Sequence, residues 1–258
     1  MVFYFTGTGN SLYVAKQLDT ELVSIPQAIK NDDQTYEADQ IGLVYPVYGH
    51  EAPFMVREFI KNAEFITDYL FVVLTYGNRH GGAAELAQDM LASSGKKADY
   101  IRTIKMVDNF LPGFDMEEQT ASAPEKRIEE NLAIIKGEVA QKMHRIDEVT
   151  DADRAAHQEF LSHMGGNPSG AFQNIYTVSD KCVGCGICMK VCPGGCIHVE
   201  NQRAVYEGGD CQMCMACVHH CPQKAIGLRM PEKNPNARFH NENIRLQEIV
   251  EANNQSMQ

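Results

Sequence analysis

The 258-residue sequence predicts an α/β protein, a doubly wound, five-stranded parallel sheet followed by a small α+β unit built around cysteines. Three observations predict it. Short β-branched and aromatic runs alternate with helical patterns through the first half. All nine cysteines fall between Cys182 and Cys221. The Gly/Pro/Ser-dense stretch GGNPSG at 165–170 divides the two regions.

Each element has its own signal. Residues 2–6 (VFYFT) read as a buried strand, and Gly7 and Gly9 mark the turn after it. Ser11, Ala15, Leu18 and Leu22 recur at helical spacing. Residues 41–45 form the next clear strand. Pro53 opens a helix whose apolar face is Val56, Phe59, Ile60 and Ala63. Residues 69–75 are the strongest strand, punctuated by Gly77, Gly81 and Gly82 before a helix carrying Leu86, Met90 and Leu91. Residues 100–107 complete the sheet. Continuous apolar strands alternating with helices imply a parallel sheet covered on both faces. Residues 122–163 read as helical and acidic, with Ser122 and Glu125 as a capping box, Pro124 in the first turn, and a stripe of Ile128, Leu132, Ile135, Val139 and Met143. The resulting organisation is an α/β domain at 1–164, a linker at 165–174, a cysteine-rich unit at 175–230, and a tail at 231–258 with a short amphipathic helix and a frayed polar end.

Composition excludes several function classes. Hydrophobic residues at 44% and charged residues at 22% suit a folded chain. With 34 Asp+Glu against 23 Lys+Arg the net charge is −11, which argues against a nucleic-acid partner. The acid concentrates in residues 115–160, with 12 acidic and 6 basic side chains. No 18-residue apolar window and no secretory leader pattern occur, so the expectation is a cytoplasmic protein with no membrane partner.

The cysteines carry the sharpest signal. Cys182, Cys185, Cys188 and Cys192-Pro193 form C-x2-C-x2-C-x3-C-P, and Cys211, Cys214, Cys217 and Cys221-Pro222 repeat it 29 residues later. Three thiolates from one short loop can wrap a cubane cluster, with Gly184 and Gly186 admitting close backbone approach. Structural zinc uses C-x2-C pairs with four ligands in total, which is a different pattern. The motif resembles bacterial two-cluster ferredoxins over about residues 175–230. The resemblance implies two 4Fe-4S clusters with crossed ligation: Cys182, Cys185, Cys188 and Cys221 on one, Cys211, Cys214, Cys217 and Cys192 on the other. The ninth cysteine, Cys196, has Ala225 as its repeat mate and reads as a packing residue. His219 and His220 have no repeat counterparts and read as surface histidines. Met189, Met213 and Met215 read as shields for the clusters.

The loop Thr6-Gly7-Thr8-Gly9-Asn10-Ser11 lies between the first strand and the first helix. A nucleotide-triphosphate loop needs Lys before the Ser, and a dinucleotide fingerprint needs a third Gly where Leu12 stands. Hydroxyls, glycines and backbone N–H groups without a basic side chain suit a terminal monophosphate at a helix N-terminus. TGTGNS after a short strand resembles flavodoxins over roughly residues 1–145. That resemblance implies FMN at the carboxyl ends of the strands, with the loops Pro46-Val47-Tyr48-Gly49-His50 and Thr75-Tyr76-Gly77-Asn78-Arg79-His80-Gly81-Gly82 at the ring. Tyr48 and Tyr76 are its stacking candidates, and Arg79 or His80 could offset negative charge on the reduced ring.

Together the two halves resemble the flavodoxin–ferredoxin fusion proteins (EFR-type ferrodoxins), whose tail pattern Ala237-Arg238-Phe239-His240-Asn241 matches. The implied function is an electron-transfer flavo-iron–sulfur oxidoreductase served by a redox partner protein or another low-potential donor. Two readings stay open. One is a reductase acting on a small molecule in a pocket lined by His50, Asn78, Arg79, His80 and Asn109, with residues 109–115 as a lid or a plain connector. The other is a non-catalytic carrier or adaptor docking on protein partners. A short linker and a long tail predict that the two units sit in fixed contact, with a cluster near Tyr48.

Overall fold

The computed structural model describes residues 1–163, 175–207 and 210–256. The GGNPSG linker expected at 165–170 therefore lies outside the described residues. In chain order the α/β domain runs β1 (Val2–Tyr4), α1 (Asn10–Leu18), β2 (Leu22–Ser24), α2 (Ile25–Ala28), β3 (Thr35–Glu37), β4 (Ile41–Pro46), α3 (Phe54–Asn62), β5 (Glu64–Ile66), β6 (Leu70–Tyr76), α4 (Ala83–Ser93), β7 (Tyr100–Lys105), α5 (Met116–Ala121), α6 (Ile128–Ala140), β8 (Arg145–Ile146) and α7 (Asp151–His163).

The main sheet has the order β2-β1-β4-β6-β7-β8 with every pair parallel. This arrangement fits a flavodoxin-like fold. It has six strands rather than the expected five. The additional edge strand, β8, is two residues long and pairs Tyr100 with Arg145 and Ile101 with Ile146. Two residues carry no alternation to read, and they lie within the stretch whose sequence reads as continuous helix. That stretch is broken: Arg127 adopts φ 49 between a 3-10 turn and α6, and Lys142 adopts φ 48 after it. Ser122 makes no side-chain cap, so the capping box with Glu125 is not formed. Leu132, Ile135 and Val139 are buried, whereas Met143 stays exposed. Leu22, expected on the first helix, opens β2 instead.

The central strands are buried on both faces, as a sheet covered by helices requires: Ile41, Leu43, Val44, Phe71, Val72 and Val73 are all at 0% exposure. From β1 the chain moves outward to β2, then crosses back to β4 on the other side. The crevice between the carboxyl ends of β1 and β4 is thus the switch point where open α/β sheets place ligands.

The cysteine-rich unit contains β9 (Tyr176–Val178), α8 (Ile187–Lys190), β10 (Ile197–Glu200), β11 (Arg203–Tyr206), α9 (Ala216–His219) and β12 (Ile226–Leu228). β9 pairs antiparallel with β12, and β10 with β11. α8 and α9 lie at matching places in the 29-residue repeat. The tail carries the expected short helix, α10 (Leu246–Asn253), and the part of the polar end that is described is docked rather than frayed, while residues 257–258 lie outside the described residues. Gln27 Nε2 donates to Ala252 O and Asn254 O at 3.1 Å each, and Lys16 pairs with Glu248 at 2.6 Å. Asn253 and Asn254 are buried. Among the described residues no helix is long and apolar enough to cross a membrane.

Candidate functional site

The glycine loop sits at the switch point. Thr6 Oγ1 accepts from Gly9 N at 3.1 Å, and Gly9 at φ 103 precedes α1 with no side-chain cap. The first-turn N–H groups of α1 therefore have no intrahelical or capping partner. Thr6, Thr8 and Ser11 are buried. Ser11 Oγ lies 2.8 Å from Thr75 Oγ1, and Asn109 Nδ2 donates to Thr8 Oγ1 at 2.7 Å.

The loop's carbonyls are occupied from the other side by the C-terminal half of the chain. Asn253 Nδ2 donates to Thr6 O at 2.9 Å, His220 Nε2 to Gly7 O at 3.3 Å, and Asn241 N to Thr8 O at 2.9 Å. His219 and His220, expected at the surface, are instead buried at 1% and 8% exposure. His219 Nδ1 accepts from Phe239 N at 3.1 Å and its Nε2–H donates to Asn109 O at 2.9 Å, which fixes a neutral ring in one tautomer. Burial lowers its pKa to about 3, and that of His220 to about 4. His220 stacks on His240 with centroids 4.4 Å apart. Arg238 and Glu232 form a buried pair at 2.9 Å. The 237–241 segment is thus the fastener between the two units. Gly7 permits a close approach between the two, since a Cβ there would stand 2.7 Å from Cys214 O.

From this loop a cavity of about 380 Å³ opens. Of the residues expected at the phosphate, the ring or a substrate pocket, 6–8, 10–11, 46–50, 75–79 and Asn109 line it, whereas Gly9, His80, Gly81 and Gly82 do not. Phe110 and Phe114, from the stretch read as a lid or connector, line it too. One wall comes from the second cysteine loop: Cys211, Gln212, Met213 and Met215. Tyr48 is half-buried beside Cys214, and desolvation first and that thiol second push its pKa well up. Gln212 Oε1 accepts from Met55 N at 2.8 Å, tying this wall to α3. Asp108, held up by burial, faces Gly77 so closely that a Cβ there would meet its carboxylate.

The eight repeat-matched cysteines gather in two groups. Cys182, Cys185, Cys188 and Cys221 line one cavity with Gly184 and Gly186. Burial pushes the Cys188 thiol up to about 11, with Cys221, Cys185 and Cys182 as its neighbours. Cys217 has Cys214, Cys192 and Cys211 as its neighbours. Each group therefore takes its fourth cysteine from the other repeat. Backbone N–H groups point at sulfur in matching ways: Cys196 N to Cys192 Sγ at 3.3 Å, and Ala225 N to Cys221 Sγ at 3.2 Å. The donor set suits a group larger than one ion, for it is thiolates with amide donors spread around a space. Among the described residues no three Cys, His, Asp or Glu side chains converge on a single point. Cys196 is buried, and its thiol lies beside the Cys192 and Cys211 sulfurs. That contact, ahead of burial acting the other way, lowers the Cys211 thiol to about 6.

Several residues here give little sign in the sequence. Tyr206 donates to Cys217 Sγ at 3.0 Å and stacks on Tyr176 with centroids 4.9 Å apart. Asn253 reaches the glycine loop from 247 residues away. Phe160, on α7, joins the cavity lining. Asp153, His157 and Phe160 stand at i, i+4 and i+7, the one pattern that marks this face of α7.

Comparison with known proteins bears on the cysteine unit. Residues 174–230 match the 4Fe-4S dicluster domain family. The chain is 50% identical over 48 residues to one component of an ion-translocating oxidoreductase complex of Methanosarcina acetivorans, covering 19% of this chain and 18% of that protein. It is 32% identical to an iron-sulfur protein of Rhodospirillum rubrum, covering 24% and 44%. It is 34% identical to the pyruvate synthase component PorD of Methanothermobacter marburgensis, covering 24% and 75%. The chain thus spans less than half of the first two relatives and three quarters of the third.

Proposed function

This chain belongs through residues 174–230 to the 4Fe-4S dicluster ferredoxins, and from that premise we propose that it is an oxidoreductase that passes electrons between two 4Fe-4S clusters and an FMN in the α/β domain. The observation that carries the reading is the shared wall: the cavity that begins at the glycine loop is closed on one side by Cys211, Gln212, Met213 and Met215. When bound, the clusters supply one-electron carriers and FMN a carrier of one or two electrons.

The chain's own residues divide the work. Cys182, Cys185, Cys188 and Cys221 would hold the outer cluster, and Cys192, Cys211, Cys214 and Cys217 the inner one. The uncapped N-terminus of α1, with the hydroxyls of Thr6 and Ser11, would take the phosphate. The carbonyls of Thr6, Gly7 and Thr8 are engaged by Asn253, His220 and Asn241, which leaves the loop's N–H face for an anion. Tyr48 and Tyr76 in the cavity wall would flank the ring, and half-buried Met213 with buried Met215 would keep water from the inner cluster. The His50, Asn78 and Arg79 rim favours a reductase with a small-molecule substrate over a bare carrier. The partner on this reading is a low-potential one-electron donor.

Cofactor analysis of protein purified without oxygen tests the proposal. The expected content is about eight irons, about eight acid-labile sulfides and one FMN per chain. Stoichiometric zinc would overturn the cluster assignment, and bound FAD would overturn the flavin assignment.

A further inference from the structure

One group of titratable side chains is not used by the electron route. Tyr48 and Glu51 close a two-residue turn, with Tyr48 N to Glu51 O at 2.8 Å and Glu51 N to Tyr48 O at 3.1 Å. Within it Gly49 has φ 57 and His50 has φ 74, a left-handed conformation uncommon for a residue with a side chain. The turn delivers the His50 ring onto Gly81, where a Cβ would lie 2.2 Å from His50 Cγ. From α7, the His157 ring lies 5.6 Å and the Phe160 ring 5.2 Å away, centroid to centroid.

The geometry sets which part of the ring can meet a ligand. His50 Nδ1 is turned onto Gly81 and, like His157 Nδ1, is buried with no hydrogen-bond partner among the described residues, so it is the rest of the His50 ring that borders the cavity. His50 and Phe160 line the cavity, along with Phe54, Phe110 and the second cysteine loop. A strained backbone and a glycine kept bare thus seat the Nδ1 edge of His50 against Gly81 and set the ring in the cavity wall.

The surroundings say what the ligand is. Glu51, next in the turn, is paired with Arg57 at 2.9 Å. Arg79 and His80 face the ring from the loop after β6, and Asp153 and His157 from α7. Burial first, then His157, Arg79 and His80, lower the His50 pKa to about 4, with Asp153 opposing them. The ring is therefore neutral at physiological pH, one nitrogen donating and the other accepting. A neutral imidazole can pair with a carbonyl oxygen and equally with the hydroxyl that replaces it on reduction. The aromatic side chains around it suit a flat apolar body.

We propose that His50 is the polar anchor of a substrate subsite in this cavity, its imidazole hydrogen-bonding to a carbonyl oxygen of a flat, largely apolar ring compound of the quinone class. The inference rests on the reading of this cavity as a reductase pocket. His157 acts as a positioning residue that holds the ring from behind.

The test is calorimetric titration of the full-length, cofactor-loaded, oxidised protein with 2,3-dimethyl-1,4-naphthoquinone, which has no free quinone-ring position for thiol addition. The control ligand is 2,3-dimethylnaphthalene. The expected result is a preference of about fivefold or more for the quinone, from one neutral hydrogen bond. His50→Phe removes the preference, His50→Gln keeps it, and affinity is flat between about pH 6 and pH 8. In the wild-type protein the His50 side-chain nitrogen resonances report a neutral ring and shift on quinone addition. Equal affinity for both ligands, a preference that survives His50→Phe, unshifted His50 resonances, or affinity climbing steeply from pH 8 to pH 6 would overturn the proposal. Flavin is counted on the same samples. His50-dependent quinone binding without FMN refutes the cofactor reading alone, and FMN without His50 dependence refutes the subsite alone.

Discussion

The two copies of the cysteine motif have the same spacing and opposite surroundings. In the first copy Cys185 is exposed and Val183 keeps 58% of its surface open. In the second, Cys214 is buried against Gly7, and Gln212, the repeat mate of Val183, is 7% exposed and bonded to Met55. Lys190 and Val191 in the first copy become His219 and His220 in the second, and these are the side chains that grip Asn109 and Gly7. The repeated positions build the same local site twice. The positions where the repeat fails choose which site faces solvent and which faces the α/β domain. On the proposed function, electrons enter at the exposed copy and reach the cavity through the buried one.

The largest effect that could break this comparison is loss of a whole cluster. Cys221→Ala should remove the cluster of the outer loop and take iron from about eight to about four per chain, although Cys221 belongs to the second repeat. Cys192→Ala should remove the inner one. Spectroscopy that finds Cys221→Ala emptying the Cys211–Cys217 loop would show that the ligands are not crossed.

Acid should separate the halves next. His219 and His220 are buried neutral, with pKa values lowered from 6.5 to about 3 and about 4. The unfolded chain therefore binds more protons than the folded one below pH 6.5. The contact is at full strength above that pH and loses stability, on the order of a few kcal/mol, as pH falls through 6.5 toward 3. His220→Asn should flatten the acid limb of thermal stability measured against pH. An unchanged limb would mean that the inner contact does not depend on the neutral ring.

A third test adds bulk at the contact. Gly7→Ala places a Cβ 2.7 Å from Cys214 O and 3.0 Å from Cys214 Cβ. The expected cost is about 2 kcal/mol, read by thermal unfolding, with slower transfer between cluster and flavin. Unaltered stability would show that the two units are not in tight contact. The smallest effect sharpens the chemical difference between the sites. Tyr206→Phe deletes the hydroxyl that donates to Cys217 Sγ, so the inner cluster's potential should become more negative while the outer one holds. Equal movement of both potentials in a redox titration would dissolve the distinction.

Much of this is legible in the sequence because the signals are local. The buried strands at 41–45 and 69–75 announce themselves by continuous apolar runs, and the eight matched cysteines by a spacing that loop geometry dictates. The glycine loop is legible for the same reason, being one turn between a strand and a helix. The sixth strand is not. β8 is two residues whose pairing is supplied by β7, and nothing in Arg145–Ile146 alone asks for it. The His219–His220 pair reads wrongly as surface because their partners, Asn109, Gly7 and Phe239, lie 20 to 213 residues away in sequence.

By itself, then, the sequence determined a parallel α/β sheet, a twice-repeated cysteine framework and a hydroxyl-and-glycine turn, since each depends on spacing within a few residues. It took the folded chain to set three successive carbonyls of that turn against Asn253, His220 and Asn241, to bring Cys214 rather than Cys185 to Gly7, and to carry His157 and Phe160 of α7 onto His50. Those choices depend on which surfaces bury each other, and burial is settled by the whole fold, not by neighbours along the chain.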